Sequence, residues 1–174
     1  MIKGQDIAIL LKLAADGGKP QSYARLAADL GMSPSEAHAG VMRLATAGMV
    51  DAELKKVRAA GASEFLRHGL KYVFPLERKG GLCRGMPTAH AAPCAAGVFS
   101  DDGEPPPVWP DADGTVRGLG VVPLYRAAPK AARKDERIYE LLAVADLLRG
   151  GRARERAWAG AWIDNMLKSA EVAL

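Results

Sequence analysis

Cys83, His90 and Cys94 stand at the spacing C-x6-H-x3-C, a thiol, an imidazole and a thiol within one short stretch. Zinc takes ligands of these types in a tetrahedron, and a bound ion would order a segment as rich in loops as this one. The spacing is not that of a paired zinc knuckle, however, and only His68 or Asp101 offers a fourth ligand. Two incidental thiols and a surface histidine explain the same residues, so neither a metal nor any other cofactor is assigned. The run Gly80-Gly81-Leu82-Cys83-Arg84-Gly85 is glycine-rich and basic, but it lacks the spacing of a phosphate-binding loop and reads as a turn. Asp101-Asp102-Gly103-Glu104 lacks the ligand spacing of a calcium loop and reads as a solvated acidic turn. There is no G-x-S-x-G elbow and no H-E-x-x-H pair. Nothing in these residues predicts an enzyme. His68, beside Gly69, reads as structural or solvent-exposed.

A second set of residues suits another chemistry, the reading of base edges in duplex DNA. In a major groove Arg43 would pair bidentately with guanine, Glu36 would accept from cytosine, and Ala39 or Met42 would meet a thymine methyl. Ser35 and Thr46 share that face, and His38 sits at its flank where phosphate would lie. Lys55, Lys56 and Arg58 follow and would touch the backbone, although a charge cluster of this kind is also the ordinary composition of a solvated face.

These side chains act together only if a helix presents them, and the stretch Ser22 to Val50 encodes one. Ser22 can cap a helix in which Leu26, Ala27 and Leu30 form a one-sided apolar patch, and Gly31 follows where a residue tolerant of positive φ is needed. Ser33 caps the next helix, Pro34 suits its first turn, and Glu36 completes a capping box. Ala37, Val41, Leu44 and Gly48 point inward, which leaves Ser35, Glu36, Ala39, Met42, Arg43 and Thr46 outward. A preceding helix over Ile2 to Ala15, with Ile7, Leu10, Leu11 and Ala14 on one side, is positioned to cross the other two.

Leu26, Ala27, Leu30, Gly31, Ser33, Ala37, Val41, Leu44, Gly48, Met49 and Val50 together resemble the winged helix-turn-helix of bacterial transcriptional regulators. The resemblance covers about the first fifty residues. It implies a three-helix module with a β-hairpin wing, the second helix of the pair entering the major groove. The sequence departs from the pattern at the wing, since Asp51 to Arg58 offers at most one strand, and a reduced wing is expected.

Beyond residue 58 the predicted organisation is a connecting helix over 59–75, with Phe65, Leu66, Leu70 and Val73 on one side and Pro75 closing it. Residues 76–130 are punctuated by Gly and Pro, so long regular elements are not expected there. Val108-Trp109 and Leu119 to Leu124 read as short strands with a turn at Asp111 to Gly114. Residues 131–174 read as an αα-hairpin. Ile138, Leu141, Leu142, Ala145 and Leu148 form one stripe, while Ala157, Trp158, Ala161, Trp162 and Met166 form the other. Those stripes need cover, from the N-terminal module or from a second copy of the chain.

The totals fit this reading. A chain of 174 residues, 49% hydrophobic, can bury a core. Two cysteines make no disulfide framework, and neither a membrane span nor a secretory leader is recognisable, so a cytoplasmic protein is expected. The net charge of +4 favours a polyanionic partner, and the sparse aromatic residues, 6% of the chain, favour duplex over single-stranded nucleic acid. The expected fold class is therefore mainly α: a winged helix-turn-helix over 1–58, a connecting helix, an irregular arm and a helical hairpin. The expected function is sequence-specific duplex DNA binding by a transcriptional regulator, homodimeric through its C-terminal helices. The alternatives are a protein-interaction module, antitoxin-like or an accessory subunit, whose central arm holds a protein partner, and a zinc-containing domain or metal-dependent enzyme.

Overall fold

The computed structural model describes every residue except 20, 101, 173 and 174. Asp101, considered above as a fourth zinc ligand and as part of the acidic turn, lies outside the described residues. The fold is mainly α, with a two-stranded hairpin and a small closed sheet. No described helix is long and apolar enough to cross a membrane.

Three helices open the chain: α1 (Gly4–Ala15), α2 (Tyr23–Leu30) and α3 (Pro34–Thr46). Their ends are set by the residues that predicted them. The Ser22 hydroxyl accepts from the Arg25 amide, and Gly31 ends α2 at φ 70°. Ser33 and Glu36 close a reciprocal capping box on α3. At the other end of α3, Gly48 adopts φ 76°, and the Met49 amide reaches back to the Leu44 carbonyl in a 6→1 closure. Gly48 was expected to point inward, but it is exposed and serves the backbone instead. A hairpin of β1 (Val50–Asp51) and β2 (Lys56–Val57) follows, pairing Val50 with Val57 and Asp51 with Lys56. Two short strands thus stand where at most one was expected. Asp51 organises their turn by accepting from the Glu53 and Leu54 amides.

The connecting helix begins at Ala59 and runs as α4 (Ala59–Glu64), a π-helical turn (Phe65–Gly69) and α5 (Leu70–Val73). Residues 76–130 contain the largest departure from expectation. The short strands expected at Val108-Trp109 and from Leu119 lie in β4 (Pro107–Pro110) and β5 (Val116–Val121), but instead of an otherwise irregular arm a long β3 (Arg78–Pro87) joins them, and the three close into a barrel. β3 pairs antiparallel with both neighbours, and β4 pairs parallel with β5. Glycine makes so small a ring possible. A Cβ on Gly118 would come 2.0 Å from the Pro106 carbonyl oxygen, and one on Gly85 2.2 Å from that of Trp109. The glycines that argued against a long strand are the residues that let strands approach this closely.

α6 (Ala128–Lys134), α7 (Glu136–Gly150) and α8 (Ala153–Val172) complete the chain. α6 was not foreseen as a separate element. Asp135 ends it and caps α7, accepting from the Arg137 and Ile138 amides. The expected α7–α8 hairpin is present, and its α7 stripe is covered within the chain, whereas of the expected α8 stripe Met166 is buried, Trp158 and Trp162 are half-buried and Ala157 and Ala161 are exposed, the helix turning Ala159, Ile163 and Leu167 inward instead. Residues 141–149 of α7 are all buried, among α1, α5, α8 and the turn at Ala89–Ala91. The α7 part of the face that was expected to join two copies is therefore occupied by the chain's own helices.

Candidate nucleic-acid interface

The geometry of α3 follows from what holds its inner side. Ala37, Val41 and Leu44 are buried against α1, and Gly40 sits where a Cβ would come 2.4 Å from Ile9 Cδ1 and 2.9 Å from Asp6 Oδ1. That space admits a buried ion pair. Asp6 is 0% exposed and receives Arg43 through two parallel bonds of 2.7 Å, while its Oδ2 also accepts from the Lys3 amide. The bond to Asp6 holds the Arg43 guanidinium above its ordinary pKa. Arg43, expected on the outward face as the guanine reader, is thus turned back along α3 and locks it to α1. A fork of donors spent on one carboxylate leaves little for a base.

The rest of the outward row stands apart from the core. Ser35, Glu36, His38, Met42 and Thr46 are exposed, and Ala39 is half-buried between them. Glu36 is engaged in its capping box, where the Ser33 amide and hydroxyl hold its carboxyl below the usual range. Thr46 turns its hydroxyl to the Met42 carbonyl. His38 meets the Tyr23 ring edge-on at 5.0 Å, and Lys55 Nζ lies over that ring, 4.7 Å from its centroid, while donating to the Gln21 carbonyl. Lys55 thereby ties the hairpin turn to the start of α2. Lys56 is half-buried on β2, and exposed Arg58 lies 3.9 Å from Asp51. Arg25, exposed on α2 and paired with Asp29, borders the same side.

The other sequence candidates do not converge. Cys83 lies on β3 beside Gly120, Cys94 faces Tyr139 and Glu140, and His90 Nδ1 faces Glu155 at 3.6 Å. Among the described residues no three His, Cys, Asp or Glu side chains are grouped to hold a metal. Burial, followed by the nearby Glu140 charge, pushes the Cys94 thiol up to about 11. His68 is exposed on the π-helical turn. The Gly80–Gly85 run lies in β3, so it is a strand rather than the expected turn. Asp102 accepts from Arg152 and from the Glu104 amide. It borders a cavity of about 500 Å³ between the barrel and the α7–α8 turn. Arg152 pairs with Asp102 there, beside the His90–Glu155 contact.

No protein-family model, curated protein or solved structure matches the chain.

Sequence reasoning missed one buried constellation altogether. Asp146, 0% exposed, accepts from the Thr88 hydroxyl at 2.7 Å, the Trp109 indole at 2.8 Å and Arg149 at 2.6 Å. Arg149 donates further to the Phe74, Pro75 and Val122 carbonyls. Burial pushes the Asp146 carboxyl up, and Arg149, Thr88 and Trp109 oppose that by donating to its charged form. The only signal in the sequence was an acid and a base three residues apart, interrupting an apolar stripe.

Proposed function

We propose that this chain is a sequence-specific regulator that binds duplex DNA with a reduced winged helix-turn-helix, α3 lying in the major groove. The observation that carries the reading is the contrast between the two sides of α3. Its inner side and both ends are fixed by a capping box, a 6→1 closure and the Asp6–Arg43 fork, whereas Ser35, His38 and Met42 are exposed and, among the described residues, no hydrogen bond or ion pair uses their side chains. A rigid helix with an unspent, mixed outer row is what direct readout requires. Ser35, His38, Ala39 and Met42 are the readers under this proposal, and Arg43 positions them.

One observation favours a second reading. α3 has no cation other than Arg43, and Arg43 is held by Asp6, so a protein could dock on the same face. Selection of bound duplexes from a random pool, with affinity then followed as salt rises, separates the two. Enrichment of a sequence, with affinity falling steeply in salt, supports the DNA reading. A palindrome with half-sites about 34 Å apart would add a two-fold dimer through some face other than the buried α7 stripe. No enrichment and no salt dependence would overturn the DNA reading in favour of a protein partner.

A further inference from the structure

Lys130 and Lys134 stand four residues apart on one side of α6, and Arg126 lies in the turn just before that helix. The opposite side, Ala128, Ala131 and Ala132, is buried. All three cations are exposed, and among the described residues no ion pair or hydrogen bond engages their side chains. Arg133 differs, being held by Asp111 and lying 3.6 Å from Asp113. α6 contains no acid, and the next one, Asp135, is spent on capping α7. Three like charges in a row repel one another, and nothing inside the fold compensates them.

Their position relative to α3 is fixed by short contacts. The Tyr125 hydroxyl donates to the Leu30 carbonyl at 2.9 Å, and Ala127 lies so close to Gly31 that a Cβ there would be 3.2 Å from its own. Leu30 and Gly31 are the end of α2 and the turn into α3. Arg126, between Tyr125 and Ala127, therefore stands beside the N-terminal end of α3, the end that approaches base edges when such a helix enters the groove. An element beside that end faces the phosphates flanking the groove.

From this row of uncompensated cations and its place beside the helix turn, we infer that Arg126, Lys130 and Lys134 grip the phosphate backbone of the duplex that α3 reads. The row takes the part that a longer, more basic β-hairpin would otherwise play. This inference rests on the DNA reading of α3, and the test tells the two apart.

The test uses the full chain and a fluorescein-labelled 30-base-pair duplex, with anisotropy titrations repeated across salt concentrations. Replacing all three residues by Gln (R126Q, K130Q, K134Q) should lower the slope of log affinity against log salt by about 2 to 3, at ~0.9 per phosphate contact. Sequence preference should stay unchanged. Each single variant should remove about one contact, which guards against misfolding of the triple variant. A control removing equal charge elsewhere, K71Q, R154Q and K168Q, should move the slope by less than one. If the row variant keeps the parent slope, or the control loses as much, the row does not touch DNA, and the α3 reading stands without it. Equal competition by single-stranded RNA of the same length would also overturn the inference, because the occupant would not be a duplex. Absence of any salt-dependent duplex binding by the parent protein would instead remove the α3 reading, and the row's role with it.

Discussion

Arg43 shows how one side chain's role depends on a partner far away in sequence. Its angular position on α3 is outward, as the helical period requires, yet Asp6 on α1 captures its Nε and Nη2. Local spacing cannot reveal a partner 37 residues away. The consequence is a prediction about stability rather than base preference. Arg43→Ala leaves a carboxylate buried without its counter-charge, and its urea midpoint should correspond to a loss of about 3–5 kcal/mol. A near-parent midpoint would show that Asp6 finds other solvation and that Arg43 is free to read DNA. The Cys94 thiol supports a second residue-scale prediction. With its pKa raised to about 11 by burial and by Glu140, it stays protonated at neutral pH. Since only thiolate reacts, alkylation followed by mass spectrometry at pH 8 should run about 100-fold slower than for an ordinary thiol, and should rise tenfold per pH unit. Fast labelling of Cys94 at pH 7 would contradict that environment. The cross-strand pair Arg84 and Arg117, both exposed and directly opposed in β3 and β5, points the other way. Arg117→Glu should replace repulsion by attraction and raise stability by about 0.5 kcal/mol, read as a higher melting temperature.

At the scale of elements, what was legible depended on how local the cause was. Helix ends were readable because Ser22, Gly31, Ser33 and Glu36 act on amides and carbonyls within a few residues. The α7 stripe was readable for the same reason, although it understated a helix buried on every side over residues 141–149, while the α8 stripe was misplaced, with Ala157 and Ala161 exposed and Ala159, Ile163 and Leu167 buried. β3 was not readable. Gly80, Gly81 and Gly85 interrupt any alternating pattern, and the reason for Gly85 exists only once the strands are closed. The segment after β4 passes directly over β3, where a Cβ on Gly114 would lie 2.4 Å from the Gly85 backbone. Such contacts against backbone have no flexible end to yield. Gly118→Ala should therefore open the β3–β5 pairing and destabilise the protein by about 3 kcal/mol, the upper range of overpacking costs. A variant with parent stability and an unchanged near-ultraviolet spectrum would show that the ring tolerates expansion.

Across the whole molecule, the helices and the barrel meet through a polar joint rather than through apolar surface alone. Asp146 and Arg149 sit on the most buried helix, and their partners come from elsewhere: Thr88 after β3, Trp109 on β4, and the carbonyls of Phe74, Pro75 and Val122. One carboxylate accepting three donors and one guanidinium feeding three separate carbonyls fix where β3 leaves, where β4 returns and where the connecting helix ends. Apolar contacts tolerate sliding, whereas buried charges punish it, because each displaced donor is left unsolvated. This joint also sets the position of α6, which follows Val122 and reaches both α2 and Asp111. Asp146→Ala should thus do more than lower stability. It should strand Arg149 in the interior, costing about 3–5 kcal/mol, and should free the barrel from the helices. On urea unfolding, near-ultraviolet dichroism from Trp109 should then fall before far-ultraviolet dichroism from the helices, where the parent shows one coincident transition. Coincident transitions in the variant would mean that the apolar contacts of α7 suffice to couple the two parts, and that the buried ion pair only orients them.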